Sequence, residues 1–171
     1  MTTAIPHPDA PTPLIVRCAV ITVSDTRTPE TDQSGALLQQ LLQEAGHQIG
    51  DYALVKDEPE QIKTQLQALG QRSDLDALIF NGGTGIAPRD TTYDAIAHSL
   101  EKTIPGFGEL FRWLSYPEIG SRAMASRAIA GVYQAKLIFS LPGSRNAVRL
   151  ATEKLILPEL SHLIKQIRGS G

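Results

Sequence analysis

"LDALIFNGGTGIAPRDTTYDAIAHSLE", residues Leu75–Glu101, decides both the fold and the place to look for function. "LDALIF" is an apolar run of strand length, too short for a buried helix. Gly82, Gly83 and Gly85 follow it, with Thr84 between them. "TTYDAIAHSLE" then reads as a helix, with Thr91 or Thr92 as its cap. Strand, glycine loop and helix in that order are half of a βαβ unit. Glycines let backbone N–H groups approach an anion with no Cβ in the way, and a helix N-terminus adds positive dipole. The loop is not a Walker A motif, because Gly-Lys-Ser/Thr occurs nowhere in the chain. It is not a dinucleotide fingerprint either, because the glycine spacing differs. A plain tight turn is the alternative.

The same alternation runs outward from this stretch. Leu14 to Val23 is an almost unbroken apolar run rich in β-branched residues, the pattern of a strand covered on both faces. "ALLQQLLQEAGH" puts Leu37, Leu38, Leu41, Leu42 and Ala45 on one helical stripe, with Gly46 as a stop. "HQIGDYALV" is a weaker strand. "PEQIKTQLQALG" is a helix with Pro59 in its first turn, Ile62, Leu66 and Leu69 along one side and Gly70 closing it. Residues 105–131 are less regular and predict two or three short helices. "AKLIFSLPG" is a fourth clear strand, and "SRNAVRLATEKLILPELSHLIKQIR" is helix bent or divided at Pro158. Helices between buried strands predict a three-layer α/β/α sandwich on a mostly parallel sheet. Ligands gather at the carboxyl ends of such strands, where every unusual loop of this chain falls.

Composition sets the bounds. The chain has 171 residues, 42% hydrophobic and 20% charged, which predicts one soluble domain. Such a length buries about two-thirds of the surface of its unfolded chain. A net charge of −2 argues against DNA or anionic lipid as a partner, though not against a local anion pocket. Cys18 is the single cysteine, so no intramolecular disulfide and no cysteine zinc site forms. No apolar core of a signal peptide and no run near ~20 apolar residues is present, so the expected compartment is the cytoplasm. Residues 1–13, with four prolines, predict a disordered arm before a domain over 14–168, and 169–171 a frayed end.

Several loops carry chemistry-bearing residues. Arg89 beside the glycine loop can fork onto a phosphate or a carboxylate. Asp90 would repel a bare anion, so it either holds a divalent metal shared with a phosphate or caps the helix at Thr91 or Thr92. Asp57, at the end of the second strand, reads in the same two ways, since Asp57 and Glu60 form a capping-box pattern. Two carboxylates from neighbouring strand ends suit a metal site for phosphoryl or nucleotidyl chemistry, with Glu58 a weaker third. "VSDTRTPETDQSG" offers Ser24, Asp25, Thr26, Arg27, Asp32, Ser34 and Gly35 to a ligand, and Asp32 or Ser34 as a helix cap. "LPGSRNAV" offers Pro142, Gly143, Ser144 and Arg145, with Ser144 as a cap. His7, His47, His98 and His162 have no ligand spacing and read as surface residues. Phe107, Phe111 and Trp113 read as core or subunit interface.

Taken together, "TVSDTR", "DQSG", "NGGTGIAPRDTTYDAI", "PGFGELFRWLSYPEIGSRAMASRAIAG" and "LPGS" resemble the MoaB/Mog family of molybdenum cofactor biosynthesis proteins over residues 15–168. "LSYPEIGSRAMASRA" and "LPGS" are similar to its MoaB branch. The resemblance implies an α/β sandwich that binds molybdopterin, and in active members transfers AMP from Mg-ATP to its terminal phosphate. It matches the family's two functional aspartates to Asp57 and Asp90, its glycine loop to Gly82, Gly83, Thr84 and Gly85, and its "SG" element to Ser34 and Gly35. It implies Mg²⁺, a homo-oligomer (a hexamer of two trimers, or a trimer) and a metal-insertion protein downstream. A noncatalytic molybdopterin-binding or scaffolding protein of the same pathway is the alternative.

Overall fold

The computed structural model describes residues 14–169; the arm expected over 1–13 and the last two residues lie outside them. The chain runs β1 (Arg17–Val23), α1 (Gln33–Glu44), β2 (Gln48–Val55), α2 (Pro59–Gly70), β3 (Ala77–Asn81) and α3 (Thr92–Ser99). It continues through β4 (Lys102–Thr103), α4 (Pro105–Ile119), a 3₁₀ turn (Gly120–Ala125), β5 (Ile129–Tyr133) and β6 (Lys136–Leu141). It closes with α5 (Arg145–Ala151), a π-helical turn (Thr152–Ile156) and α6 (Leu157–Ile167). One sheet of order β2-β1-β3-β6-β5-β4 holds all six strands. The first four pair parallel, and β5 and β4 add an antiparallel edge.

The alternation of each strand splits the core in two, as a three-layer sandwich requires. Cys18, Val20, Ala77, Ile79, Leu137 and Phe139 face α1, α4, α5 and α6. Ala19, Ile21, Val23, Leu78 and Phe80 face α2 and α3. Leu37, Leu38, Leu41 and Leu42 of α1 are buried as their spacing demands. Truncating a core leucine such as Leu38 to alanine costs about 2–5 kcal/mol. Ala45 does not join that stripe: it is exposed and caps the helix. Gly46 at φ +88° then stops the helix, with His47 N–H reaching back to Leu42 O at 3.0 Å.

Register sets the functional rim. Thr22 pairs Asn81, Asn81 pairs Leu141, and Val23 pairs Val55, so four parallel strands end side by side. The connection after β1 packs on one face of the sheet and that after β2 on the other. This makes the gap between β1 and β3 a topological switch point, where α/β proteins bind ligands.

Two expectations need correction. Residues 105–131 form one long helix, a 3₁₀ turn and a strand, not two or three short helices. α4 runs through Pro117, which gives up the N–H bond to the carbonyl four residues back, and ends at Gly120, whose φ is +61°. β1 begins at Arg17 rather than Leu14. The division at Pro158 is as expected: Pro158 has no N–H to donate, and the turn before it widens, with Leu157 N–H bonding Thr152 O.

Candidate functional site

The glycine loop leaves β3 through two residues of positive φ, Gly82 at +104° and Gly83 at +65°. A Cβ on Gly82 would strike the carbonyl of Val23, and one on Gly83 would overlap the Asp57 carboxylate and the Thr92 hydroxyl. A Cβ on Gly85 would come within 2.5 Å of Asp90 Oδ2. The glycines therefore make room for the two aspartates as well as for any ligand.

Asp57 is 5% exposed and does not cap α2. The N-cap there is Glu58, with no side-chain bond. Instead Asp57 Oδ1 reaches across to the start of α3, accepting from Thr91 N–H at 3.1 Å, Thr91 Oγ1 at 2.7 Å and Thr92 Oγ1 at 3.1 Å. It is thus a cap in trans, on a helix 34 residues away in sequence. Asp90 does not cap α3 either; its Oδ2 accepts from Ala87 N–H at 3.2 Å and closes its own loop. Asp57 Oδ2 and Asp90 Oδ1 accept no hydrogen bond from the described residues.

The loops after β1 and β6 meet here. Asp32 caps α1 by accepting from Gly35 N–H at 3.0 Å, and also accepts from Tyr52 Oη at 2.6 Å. Burial, with Asp32 beside it, pushes the Tyr52 phenol well above its usual value. Ser34 Oγ donates to Gly143 O at 2.7 Å, and Arg27 Nη2 donates to the same carbonyl at 3.0 Å. Ser144 caps α5 by accepting from Ala147 N–H at 3.2 Å. Ser24 Oγ accepts from Thr26 N–H at 3.2 Å and Arg27 N–H at 3.1 Å, folding the first loop tightly.

The fork of Arg89, expected to face a ligand anion, is taken by carboxylates of this chain. Its Nε and Nη2 bond Asp25 at 3.0 and 2.9 Å, and its Nη1 bonds Glu58 at 2.7 Å. Arg89 holds the Asp25 carboxyl below the usual range. Asp25 Oδ1 also accepts from Asp57 N–H at 3.1 Å. One cation so ties together the loops after β1, β2 and β3.

These loops enclose a cleft of about 440 Å³. Ser24, Arg27, Gly82, Gly83, Thr84, Gly85, Asp90, Pro142 and Gly143 line it, joined by Ala125 and Ser126. Ser34, whose Oγ bonds Gly143 O, does not line it, nor does Gly35, nor Asp57, whose carboxylate packs against Gly83. A second cleft, of about 430 Å³, lies across Asp90, between Lys63, Ile86, Asp94, His98 and Arg127. Arg127 donates to Gly85 O at 3.0 Å and to Asp94 Oδ1 at 2.5 Å, with its guanidinium 4.2 Å from the centre of the Tyr93 ring. Ala125, Ser126 and Arg127 do not stand out as site residues in the sequence: they lie in the "SRAMASRA" stretch, which carries the resemblance but follows a strand-free segment with no clear period. Of the histidines, His47 is not a free surface residue: its Nδ1 accepts from Val16 N–H at 3.2 Å, and burial lowers its pKa.

The donor set suits a cation that travels with a phosphate better than a resident one. No group of three or more His, Cys, Asp or Glu side chains is placed to hold a metal among the described residues. Asp57 and Asp90 each keep one oxygen without a hydrogen-bond partner among the described residues. Mg²⁺ is commonly held this way, by one or two carboxylates plus substrate phosphates and water.

Fold and site define an α/β protein with a glycine-lined, carboxylate-bearing cleft at the carboxyl ends of parallel strands. Residues 19–162 match the family model "Probable molybdopterin binding domain". The chain belongs to this family. It is 55% identical over 156 residues to molybdenum cofactor biosynthesis protein B of Halalkalibacterium halodurans, covering 91% of this chain and 92% of the relative. It is 55% identical over 157 residues to the protein of the same name in Bacillus subtilis, again covering 91% and 92%. Among solved structures, a molybdenum cofactor biosynthesis protein B superposes with TM-score 0.90 at 52% identity, covering 93% of this chain and 99% of the other. The tungsten cofactor synthesizing protein MoaB of Pyrococcus furiosus gives 0.81 at 34%, covering 92% and 99%.

Proposed function

We propose that the chain binds molybdopterin and adenylylates its terminal phosphate with Mg-ATP. Its work in molybdenum cofactor biosynthesis follows from the family and from relatives sharing 55% of its residues. The transfer itself is supported by one observation above all. Asp57, packed against Gly83, and Asp90, on the glycine loop and lining the cleft, each keep an oxygen without a hydrogen-bond partner among the described residues.

The chemistry asks little of the protein beyond placement. A phosphate oxygen of molybdopterin attacks the α-phosphorus of ATP, a new P–O bond forms, and the bond to pyrophosphate breaks. The attacking oxygen is already ionised, so no general base is needed. Backbone N–H groups of Gly83, Thr84 and Gly85 hold one phosphate, and the tethered loops after β1 and β6 hold the other in line. Asp57 and Asp90 would hold Mg²⁺, which screens the two anions from each other and neutralises the departing pyrophosphate.

Binding without transfer is the second reading, and the burial of Asp57 favours it. Three donors on Oδ1 give that residue a structural task of its own. Purified protein mixed with molybdopterin, ATP and Mg²⁺ separates the two. Adenylylated product from the unaltered chain, lost in Asp90→Ala while molybdopterin still binds, supports the enzyme. Tight molybdopterin binding with no product leaves the binding protein.

The assembly is a homo-oligomer in this proposal, a hexamer or a trimer. One side of α4 buries Phe107 and Phe111, whereas Leu110, Trp113, Tyr116 and Ile119 remain 45–71% exposed. Met124, just beyond, is 84% exposed. A contiguous apolar surface of this kind marks a protein interface. Among the described residues, no helix is long and apolar enough to cross a membrane.

A further inference from the structure

Of the arginines at this rim, Arg145 donates to Gln33 Oε1 at 3.4 Å outside the cleft lining, and Arg89 and Arg127 are already spent. Arg89 gives Nε, Nη1 and Nη2 to Asp25 and Glu58. Arg127 gives Nη1 to Gly85 O and Nη2 to Asp94, and it lines the second cleft, not the first. Arg27 is different. It is the one cation among the described residues that line the glycine-loop cleft.

The placement of Arg27 is built, not incidental. Ser24 Oγ pins its backbone N–H, and Gly143 O accepts from Nη2 at 3.0 Å. That contact fixes one edge of the guanidinium. Buried Asp32 forms an ion pair with Nη1 at 3.6 Å, longer than a hydrogen bond, while its oxygens accept from Gly35 N–H and Tyr52 Oη. A guanidinium carries five N–H donors in a planar fork. One donor is hydrogen-bonded and Nη1 also pairs with Asp32, so the remaining N–H groups of a side chain that is 32% exposed are available to the cleft it lines.

We propose that Arg27 is the side chain that grips the ligand's phosphate in this cleft, and that Arg89 is an internal tie. The assignment rests on the cleft being the ligand site, as set out above, but not on AMP transfer occurring there. The ligand chemistry is a phosphate ester or a pyrophosphate, supplied by molybdopterin or by ATP. A fork anchored at one edge suits two-pronged contact with phosphate oxygens, which a lysine cannot reproduce. Arg27 is a binding residue in this account, so its loss falls on affinity first.

Calorimetry on the full chain tests it, with inorganic pyrophosphate plus Mg²⁺, Mg-ATP and molybdopterin as separate probes. Arg27→Met weakens at least one of them by roughly 10-fold or more, the scale of a charged hydrogen bond. Arg27→Lys recovers part of that, because the charge stays and the fork goes. The affected probe tells which substrate the fork holds. A purely structural role would lower the melting temperature of the unliganded protein without this graded rescue. If Arg27→Met melts early, Arg27→Lys against the unaltered chain decides the matter. The proposal is overturned if the decisive variant binds all three probes as tightly as the unaltered chain, or if the unaltered chain binds none of them. Arg27-dependent binding without adenylylated product keeps this assignment and removes the transferase reading.

Discussion

Asp57 and Asp90 look alike in the sequence, yet replacing them should have different consequences for stability. Asp57→Ala removes a buried carboxylate that satisfies Thr91 N–H, Thr91 Oγ1 and Thr92 Oγ1 at the first turn of α3. Losing a cap costs about 1 kcal/mol, and leaving buried donors unpaired adds about 1–3 kcal/mol. A total of about 3 kcal/mol is expected for Asp57→Ala, which lowers the melting temperature by about 6–12 °C in a chain of this size. Asp90→Ala gives up one bond to Ala87 N–H in a part-exposed loop, so about 1 kcal/mol or less is expected. Asp57→Asn keeps one carbonyl acceptor and falls between the two. Equilibrium urea unfolding, with matched slopes, reads these differences directly. Equal losses in Asp57→Ala and Asp90→Ala would refute the claim that Asp57 caps α3 from a distance.

Other outcomes follow from single contacts. His47 has a folded-state pKa below the ordinary 6.5, because burial disfavours its charged form while Nδ1 accepts from Val16 N–H. The unfolded chain therefore binds the proton more readily, so stability is full above pH 6.5 and declines as pH falls below it. In His47→Gln the slope between pH 6.5 and 5.5 should flatten; an unchanged slope would assign it to other groups. Trp113→Lys puts a charge into the exposed apolar side of α4. Sedimentation velocity should show a smaller species than the unaltered chain, and an unchanged size would exclude Trp113 from the interface.

Much of this fold is written in local patterns. The leucine quartet of α1, the glycine stop at Gly46, the cap at Ser144 and the interruption at Pro158 all act within a turn or two, so neighbours in sequence are enough to reveal them. The antiparallel edge was missed because β4 is two residues long and β5 follows a segment with no clear period. The site was legible as a set of loops after strands, and its aspartates as candidates. Their local reading as caps for the next helix failed, because each carboxylate found its donors elsewhere.

By itself, the sequence determined the alternation of strands and helices, the two-sided burial of the sheet, and the glycines where the chain must turn sharply. These depend on steric and hydrophobic preferences of residues a few places apart. Only the tertiary structure decided which charges are spent. Parallel register brings Asp57 to Thr91, Arg89 to Asp25 and Ser34 to Gly143, pairs separated by 34, 64 and 109 residues. Arg89 and Arg27 are equally cationic as letters. Asp25 and Glu58 take up the fork of the first with hydrogen-bonded ion pairs, while the second bonds one carbonyl, pairs with Asp32 at the longer distance of 3.6 Å and lines the cleft.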